Sequence, residues 1–282
     1  MFDYKEARKY TKENINGKAS TIFGYAILYI IFKSIISGFL GSHNGFFGVL
    51  APAIVAAATT PIQVGLFRII INILNNKSVN VRMLFDDYKY ILNLFVIGFI
   101  CNFIITFAYK IYAIGFLLGF LLDSIYVGIL YFFVYNSDIS LGKFFNKILE
   151  KIKLYFPGCV ILRLSYEWPL FLVTFIYTIL TVIILAILAI NNISDFMNIS
   201  VLSADTLLSL ITSFVPILVI SIIYSVIIII MIVRIIPRVL FAEAKFYSNF
   251  INDVKTKENF CSNCGEKVKG NFCEKCGTKI KE

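Results

Sequence analysis

The chain has little of the chemistry that enzymes use. Its 282 residues include a single histidine, His43, and only 15% of them are charged. The sequence contains no phosphate-binding loop, no G-x-S-x-G nucleophile motif, no H-E-x-x-H zinc motif and no dinucleotide-binding glycine pattern. We therefore predict that the protein is not an enzyme, and we expect no site built from several histidines.

Charge is scarce because apolar residues dominate the chain. Hydrophobic residues make up 59% of the sequence and the mean hydropathy is +0.84, far above the values of a soluble domain. The first long apolar run, residues 20–40, exceeds a signal-peptide core and lacks a cleavage site. The composition thus predicts an all-α membrane protein with several crossings.

Six apolar runs are long enough to cross ~30 Å of hydrocarbon as helices. They span residues 20–40, 46–74, 91–109, 111–135, 158–190 and 207–236. The fifth run is long for one crossing and contains Trp168 and Pro169, so residues 158–167 are open to three interpretations: a re-entrant segment, an interfacial helix or part of span five. We expect a transmembrane domain over residues 1–240, a linker over 241–259 and a separate C-terminal domain over 260–282.

Two polar intervals between the spans have apolar residues at helical spacing. The first interval contains Val81, Leu84, Phe85, Tyr88 and Ile91. The second contains Leu141, Phe144, Phe145, Ile148, Leu149 and Ile152, with lysines on the opposite face. This pattern predicts two amphipathic helices that lie in the membrane interface and face anionic headgroups.

The distribution of lysine and arginine predicts the orientation in the membrane. Five of them precede the first span, three follow the second, four follow the fourth and nine lie from Arg238 onward. The three loops on the opposite side together hold one, Lys110. Positive residues gather on the cytoplasmic side, so we predict a multi-pass protein of the cytoplasmic membrane with both termini in the cytoplasm.

The C-terminal segment contains a metal-binding pattern. Four cysteines form two C-x-x-C-G pairs, and their residues are Cys261, Cys264, Cys273 and Cys276. Four thiolates at this spacing suit tetrahedral Zn²⁺. Two disulfides are the alternative, but they require an oxidising compartment, whereas this tail is predicted to be cytoplasmic. We predict a structural zinc ion that supplies most of the folding free energy of a very small domain.

Two resemblances add to this interpretation. The cysteine segment resembles the short zinc ribbons of the zinc-ribbon domain family. The segments "EARKYTKENINGK", "PIQVGLFRIIINILNNKSVNVRMLF" and "YNSDISLGKFFNKILEKIKLYFPGCVILRLSYEWPLFL" together resemble the uncharacterised integral membrane family catalogued as domain of unknown function nine-seven-five. That resemblance covers most of residues 1–240 and implies a six-helix membrane protein, with no catalytic residue to transfer.

Two charged residues lie deep within predicted spans. Lys33 on span one and Asp123 on span four differ in depth by only about one helical turn, at ~1.5 Å per residue. We predict that they form a buried ion pair, which either fixes helix register or serves as a gate or ion relay. Asp86 and Asp87 are adjacent in sequence, and we expect both to be solvated.

The predicted function is a membrane scaffold or regulator whose ribbon contacts a cytosolic protein. A basic face on the ribbon is weak evidence for nucleic acid, so a protein partner is favoured. The alternative is a small-solute or ion transporter or channel that uses the Lys33 and Asp123 pair.

Overall fold

The structure is a computed structural model that describes residues 3–40, 47–111, 114–137, 140–191, 204–256, 259–260, 267–268 and 276. Nearly all of these residues are helical. Six of the helices are long enough and apolar enough to cross a membrane. The six predicted apolar helices are therefore confirmed.

The described residues contain seven α-helices, two short 3-10 helices and one pair of short strands. The α-helices are α1 (Tyr4–Asn14), α2 (Ala19–Leu40), α3 (Phe47–Leu74), α4 (Ile91–Tyr109), α5 (Gly115–Tyr135), α6 (Leu141–Asn191) and α7 (Ala204–Thr256). The 3-10 helices, Val81–Leu84 and Asp86–Tyr90, lie between α3 and α4, and the strands are β1 (Asn259–Phe260) and β2 (Lys267–Val268). Helices α2 to α5 match the predicted spans to within a few residues.

Helix α6 joins two elements that the sequence pattern separates. It runs for 51 residues and passes through Pro157 and Pro169 without a break. Residues 158–167 are thus part of the fifth helix rather than a re-entrant or separate interfacial segment. Buried side chains continue at helical spacing on both sides of Pro157, from Phe144 to Leu162. Their packing keeps the backbone helical although each proline removes one hydrogen bond.

The first polar interval is not an α-helix. Residues 81–90 form the two 3-10 helices, and Leu84 is buried against α3 while Val81 and Phe85 are exposed. A Cβ at Gly65 of α3 would overlap the backbone carbonyl of Leu84. The interval therefore packs along the side of α3, and close approach to Gly65 sets its position.

Helix α7 also extends beyond its predicted end. It continues through Pro237 to Thr256, so most of residues 241–259, expected as a linker, are helical. Aromatic side chains on this stretch are fully or almost fully buried: Phe241, Phe246, Tyr247 and Phe250. Because buried side chains occur on nearly every side of this stretch, it is part of the helix bundle.

The chain divides into two compact units. Unit 1 consists of Met1–Arg163 and Pro237–Glu282, and unit 2 consists of Leu164–Ile236. In unit 1, α3 is the most buried of the apolar helices and packs against α2, α4 and α5. A Cβ at Gly98 of α4 would overlap the Thr60 hydroxyl of α3, so small residues let these two helices approach closely.

Aromatic rings link four helices in the core of unit 1. Phe67 of α3 stacks on Tyr131 of α5 with centroids 4.2 Å apart, and Tyr131 stacks on Tyr247 of α7 at 4.8 Å. Tyr247 meets Tyr155 of α6 edge to face at 5.6 Å. Such pairs add roughly 0.5–1.5 kcal/mol each beyond the burial of their surface.

Helix α1 packs on the last part of α7. Tyr10 stacks on Phe241 with centroids 6.1 Å apart, and Asn249 donates a hydrogen bond of 3.2 Å to Glu6. The Asp3 side chain caps α1 by accepting from the Lys5 backbone N–H at 2.7 Å. The N-terminal helix and the end of α7 therefore lie together at one end of unit 1.

Unit 2 is a pair of apolar helical segments. Residues 164–191 of α6 and 204–236 of α7 meet where Tyr177 stacks on Tyr224, with centroids 4.0 Å apart. Most of the leucine and isoleucine side chains described in these segments, over residues 164–187 and 215–236, are exposed. Exposure on this scale suits contact with lipid chains rather than with water.

Candidate functional site

The strand pair lies at the start of the predicted zinc ribbon. Asn259 pairs with Val268 and Phe260 with Lys267 in antiparallel register. Residues 261–266, which carry the first C-x-x-C pair, therefore connect the two strands. In a zinc ribbon, two cysteines of one C-x-x-C pair bind the same metal ion, so the position of this pair between two strands agrees with the prediction.

Three of the four predicted zinc ligands, Cys261, Cys264 and Cys273, lie outside the described residues. Cys276 is described and is an exposed turn residue. The residues that the structure describes contain no group of three potential metal ligands, and they include only one ribbon cysteine. The zinc site therefore stays a prediction.

The structure does not bring Lys33 and Asp123 together. The Lys33 side chain is exposed on α2, and within the described ranges it forms no ion pair. Asp123 of α5 instead accepts from Arg163 of α6, with an Nη1 to Oδ2 distance of 2.7 Å. The predicted pair fails because Arg163 is the partner that reaches Asp123, whereas the Lys33 side chain is exposed.

Arg163 joins three helices of unit 1. Besides Asp123, its Nε atom lies 3.4 Å from Glu243 Oε1 on α7, and its Nη1 atom lies 3.5 Å from the Ser124 hydroxyl. The Glu243 side chain is 3% exposed and the Arg163 side chain is 14% exposed. We call Asp123, Arg163 and Glu243 the carboxylate cluster. The Arg163 guanidinium pairs with both carboxylates. One positive and two negative groups give the three side chains a formal charge of −1.

A second polar layer lies one helical turn from the cluster. Residues Gly128, Cys159 and Tyr247 each lie four positions from Ser124, Arg163 and Glu243 on the same helix. Within the described residues the buried Tyr155 hydroxyl has no hydrogen-bond partner, whereas the buried Tyr247 hydroxyl meets the Cys159 thiol. A Cβ at Gly128 would lie 2.5 Å from the Tyr155 ring, so glycine alone leaves room for both rings.

A second ion pair holds the 3-10 segment to α3. Arg68 binds Asp87 through two hydrogen bonds, from Nε to Oδ2 at 3.0 Å and from Nη2 to Oδ1 at 2.7 Å. The Asp87 side chain is 1% exposed and the Arg68 side chain is 30% exposed. Asp86 is exposed as expected, but the prediction that Asp87 is solvated is wrong. Consecutive residues of a 3-10 helix point about 120° apart, so one carboxylate faces outward and the next faces α3.

Hydroxyl and amide groups meet between α3 and α5. The Tyr126 hydroxyl lies 3.0 Å from Thr60 Oγ1 and donates to Gln63 Oε1 at 3.3 Å. Thr60 also donates to the Ala56 carbonyl on its own helix at 2.8 Å. These bonds satisfy the polar atoms of a buried contact and fix the register of the two helices.

Sequence reasoning missed two residues of the cluster, Arg163 and Glu243. Glu243 follows the apolar run of the sixth span and lies in the predicted linker. A carboxylate in a linker gives no indication of a functional site. The available signal was the set of aromatic and alanine residues around it, from Phe241 to Phe250. That pattern indicates a buried helix face, and a carboxylate on a buried face requires a partner.

No family model matches the chain, and neither a curated protein nor a solved structure matches it. The resemblance to the uncharacterised membrane family and to zinc ribbons therefore stays a prediction. A functional argument must come from the geometry of the site itself.

Asp87 and Asp86 form a matched pair for mutation. Replacing Asp87 with Asn removes the charge that neutralises Arg68, and we expect a loss of about 2–3 kcal/mol of stability, less than a fully buried pair because Arg68 is partly exposed. The measurement is the unfolding of the purified chain in detergent micelles. Asp86→Asn should change stability by less than ~0.5 kcal/mol. Equal effects from the two variants would contradict the buried ion pair.

Proposed function

We propose that this protein is a non-catalytic, multi-pass protein of the cytoplasmic membrane that acts as a scaffold or regulator. In this proposal a zinc ribbon at its C-terminus binds a cytosolic protein. The gathering of lysine and arginine on one side of the predicted spans supports a cytoplasmic location for both termini. The packing of α1 on the last part of α7 supports a common side for the two termini.

The observation that carries the proposal is the continuity of α7. One unbroken helix runs from Glu243 in the carboxylate cluster to Thr256, and β1 begins at Asn259. A flexible linker would leave the ribbon free to move relative to unit 1. A helix buried on one side and followed closely by the ribbon instead couples whatever binds the ribbon to the core of unit 1, which is what a regulator requires.

Zinc would hold the ribbon through its four thiolates, and a Zn²⁺ ion with four thiolates carries a formal charge of −2. Lysines close to the cysteines offset that charge, and they are Lys267, Lys269, Lys275, Lys279 and Lys281. Because these lysines have a local role in neutralising the metal site, they give no separate reason to expect nucleic acid. A protein partner is therefore favoured.

The bilayer itself is the second proposed partner. On the first turns of α6, Lys143 and Lys147 are exposed while Phe144 and Ile148 are buried. Exposed lysines at the cytoplasmic face attract anionic headgroups, at about 1 kcal/mol for each residue near the surface. This attraction would hold the inner end of unit 1 against the membrane.

Crosslinking and affinity capture test the recruitment of a partner. We expect the intact chain to retain a cytosolic protein that the double variant Cys261→Ser with Cys264→Ser loses, because two of four zinc ligands are absent. Cys101→Ser is the matched control, since this cysteine lies on α4 and is not one of the four predicted zinc ligands. The zinc content of each purified chain shows whether the metal has been lost.

An identical set of partners for the intact chain and the zinc-free double variant would contradict a recruiting ribbon. About one zinc ion per chain in the intact protein, with unchanged content in the double variant, would contradict the ligand assignment instead. The two failures are therefore distinguishable.

A second candidate function is transport of a cation, and the carboxylate cluster favours it. Two carboxylates and one arginine within an apolar bundle are costly, and such groups often mark ion pathways. The cluster replaces the Lys33 and Asp123 pair as the feature on which this function would depend. The scaffold proposal remains the first choice because an ion pair that fixes helix register accounts for the same residues.

Flux into proteoliposomes tests the transport candidate. Asp123→Asn removes a carboxylate from the cluster and should reduce proton or alkali-cation flux at least tenfold, while Lys33→Gln, at an exposed position outside the cluster, should leave it unchanged. Both variants must unfold at temperatures close to that of the unmodified chain. Absence of flux in the unmodified chain, or equal flux in Asp123→Asn, would eliminate this function.

A further inference from the structure

Asp123 is the exposed edge of the carboxylate cluster. Its side chain is 35% exposed, whereas that of Glu243 is 3% exposed. Arg163 donates to the Oδ2 atom of Asp123, and the Oδ1 atom accepts no hydrogen bond from the residues that the structure describes. Each carboxylate oxygen can accept two hydrogen bonds. Because the cluster has a formal charge of −1, its exposed edge presents a negative group within an apolar span and favours a cation there.

Lys33 is a cation within the first span. Its side chain is exposed on α2, and no residue in the described part of the chain forms an ion pair with it. A lysine in a transmembrane helix is costly unless it pairs with an acid or reaches the polar surface. Lys33 and Asp123 are predicted to differ in depth by about one helical turn, a distance that the flexible four-carbon stem of lysine can span.

Tyr29 relates the positions of these two charges in unit 1. Tyr29 lies four residues before Lys33 and therefore on the same face of α2. Its hydroxyl bonds to Thr59 of α3, and it interacts electrostatically with Asp123 of α5. Lys33 thus lies one turn beyond a residue that is close to Asp123, and both charged side chains are accessible. We call Lys33 and Asp123 the charge patch.

A surface with one cation and one anion suits a two-fold interface. Such an interface joins residue i of one copy to residue j of the other, and residue j to residue i, so the surface must be self-complementary. Copies in one bilayer have the same orientation, and a two-fold axis that relates them runs along the membrane normal. Residues that pair across this axis must therefore lie at similar depth, as Lys33 and Asp123 are predicted to do.

We propose that this chain forms a two-fold dimer in which Lys33 of each copy pairs with Asp123 of the other copy. Each carboxylate cluster then gains one positive charge, and its formal charge changes from −1 to zero. Lipid chains are as apolar as leucine, so association within a membrane depends on close packing and polar contacts. The two ion pairs supply such contacts. This pairing goes beyond the proposed scaffold function and does not depend on the ribbon.

Subunit counting tests the dimer. The full chain, with one fluorophore per copy, is reconstituted in lipid vesicles, and photobleaching steps give the fraction of dimers across a range of protein-to-lipid ratios. We expect dimers of the unmodified chain. Lys33→Gln and Asp123→Asn should each weaken dimerisation about tenfold, because each removes both pairs at roughly threefold per pair. The double variant should also lose about tenfold, since the two changes remove the same pairs.

Mixing the two single variants tests whether the pair joins two copies. Lys33→Gln copies carry one colour of fluorophore and Asp123→Asn copies carry another. A mixed dimer keeps one of the two ion pairs, whereas a dimer of either variant alone keeps none. Mixed dimers should therefore be roughly threefold more stable than dimers of one variant. A role of Asp123 confined to its own cluster does not produce this excess.

The matched control makes the same charge changes at exposed positions outside the charge patch, through Lys110→Gln with Asp86→Asn, and it should dimerise like the unmodified chain. Unfolding temperatures in detergent micelles separate lost pairing from lost folding. Lys33→Gln alters an exposed side chain, so it remains informative if Asp123→Asn unfolds.

Monomers at every protein density would overturn the proposal, because Lys33 would then face lipid or another protein. A dimer that folded Lys33→Gln does not weaken would overturn it equally. The same holds if the double variant loses about a hundredfold, since the two residues would then act separately, or if mixed dimers show no excess.

Discussion

A charge inside an apolar bundle needs a partner from another helix, and unit 1 depends on this constraint. Arg163 is the centre of the arrangement, because its guanidinium contacts Asp123 on α5 and Glu243 on α7. Arg163 and Glu243 are largely buried and would each alone carry a large desolvation penalty, while Asp123 is 35% exposed. Together they connect three helices at one level, and any displacement of α7 would expose a carboxylate to its apolar surroundings.

The same constraint explains the irregular segment between α3 and α4. A backbone that leaves the α-helix must find its hydrogen bonds elsewhere, and within an apolar bundle the protein has to supply them. The 3-10 helices supply some of these hydrogen bonds. The Asp87 carboxylate accepts two more from Arg68 and so holds the segment against α3. Gly65 completes the arrangement, because the absence of a side chain lets the backbone of Leu84 approach α3.

Much of the architecture could be predicted from composition and periodicity. Apolar runs of about 20 residues or more predict the six helices, because the thickness of the hydrocarbon core determines how long a membrane-spanning helix must be. The ends of α6 and α7 could not be predicted in this way. Proline is read as a helix terminator, yet tertiary packing of Tyr155 and Tyr247 keeps Pro157 and Pro237 within continuous helices.

The partners of charged residues were the least predictable feature. Depth along a span can be counted from the sequence, but the rotation of each helix depends on packing that one sequence does not reveal. Lys33 and Asp123 are predicted at a similar depth, yet Asp123 binds Arg163 and Lys33 is exposed. Asp86 and Asp87 are adjacent, yet only Asp87 is buried. The ribbon cysteines differ in this respect, because the spacing of metal ligands along the chain can be recognised directly in the sequence.

A double-mutant cycle on Arg163 and Glu243 tests the central claim most directly. The unfolding free energies of Arg163→Gln, Glu243→Gln and the double variant are compared with that of the unmodified chain in one lipid-like environment. The account predicts a coupling energy of about 1–3 kcal/mol, because the two side chains are buried and in contact. A coupling energy below about 0.3 kcal/mol would contradict it and would mean that Arg163 does not hold α7 in place.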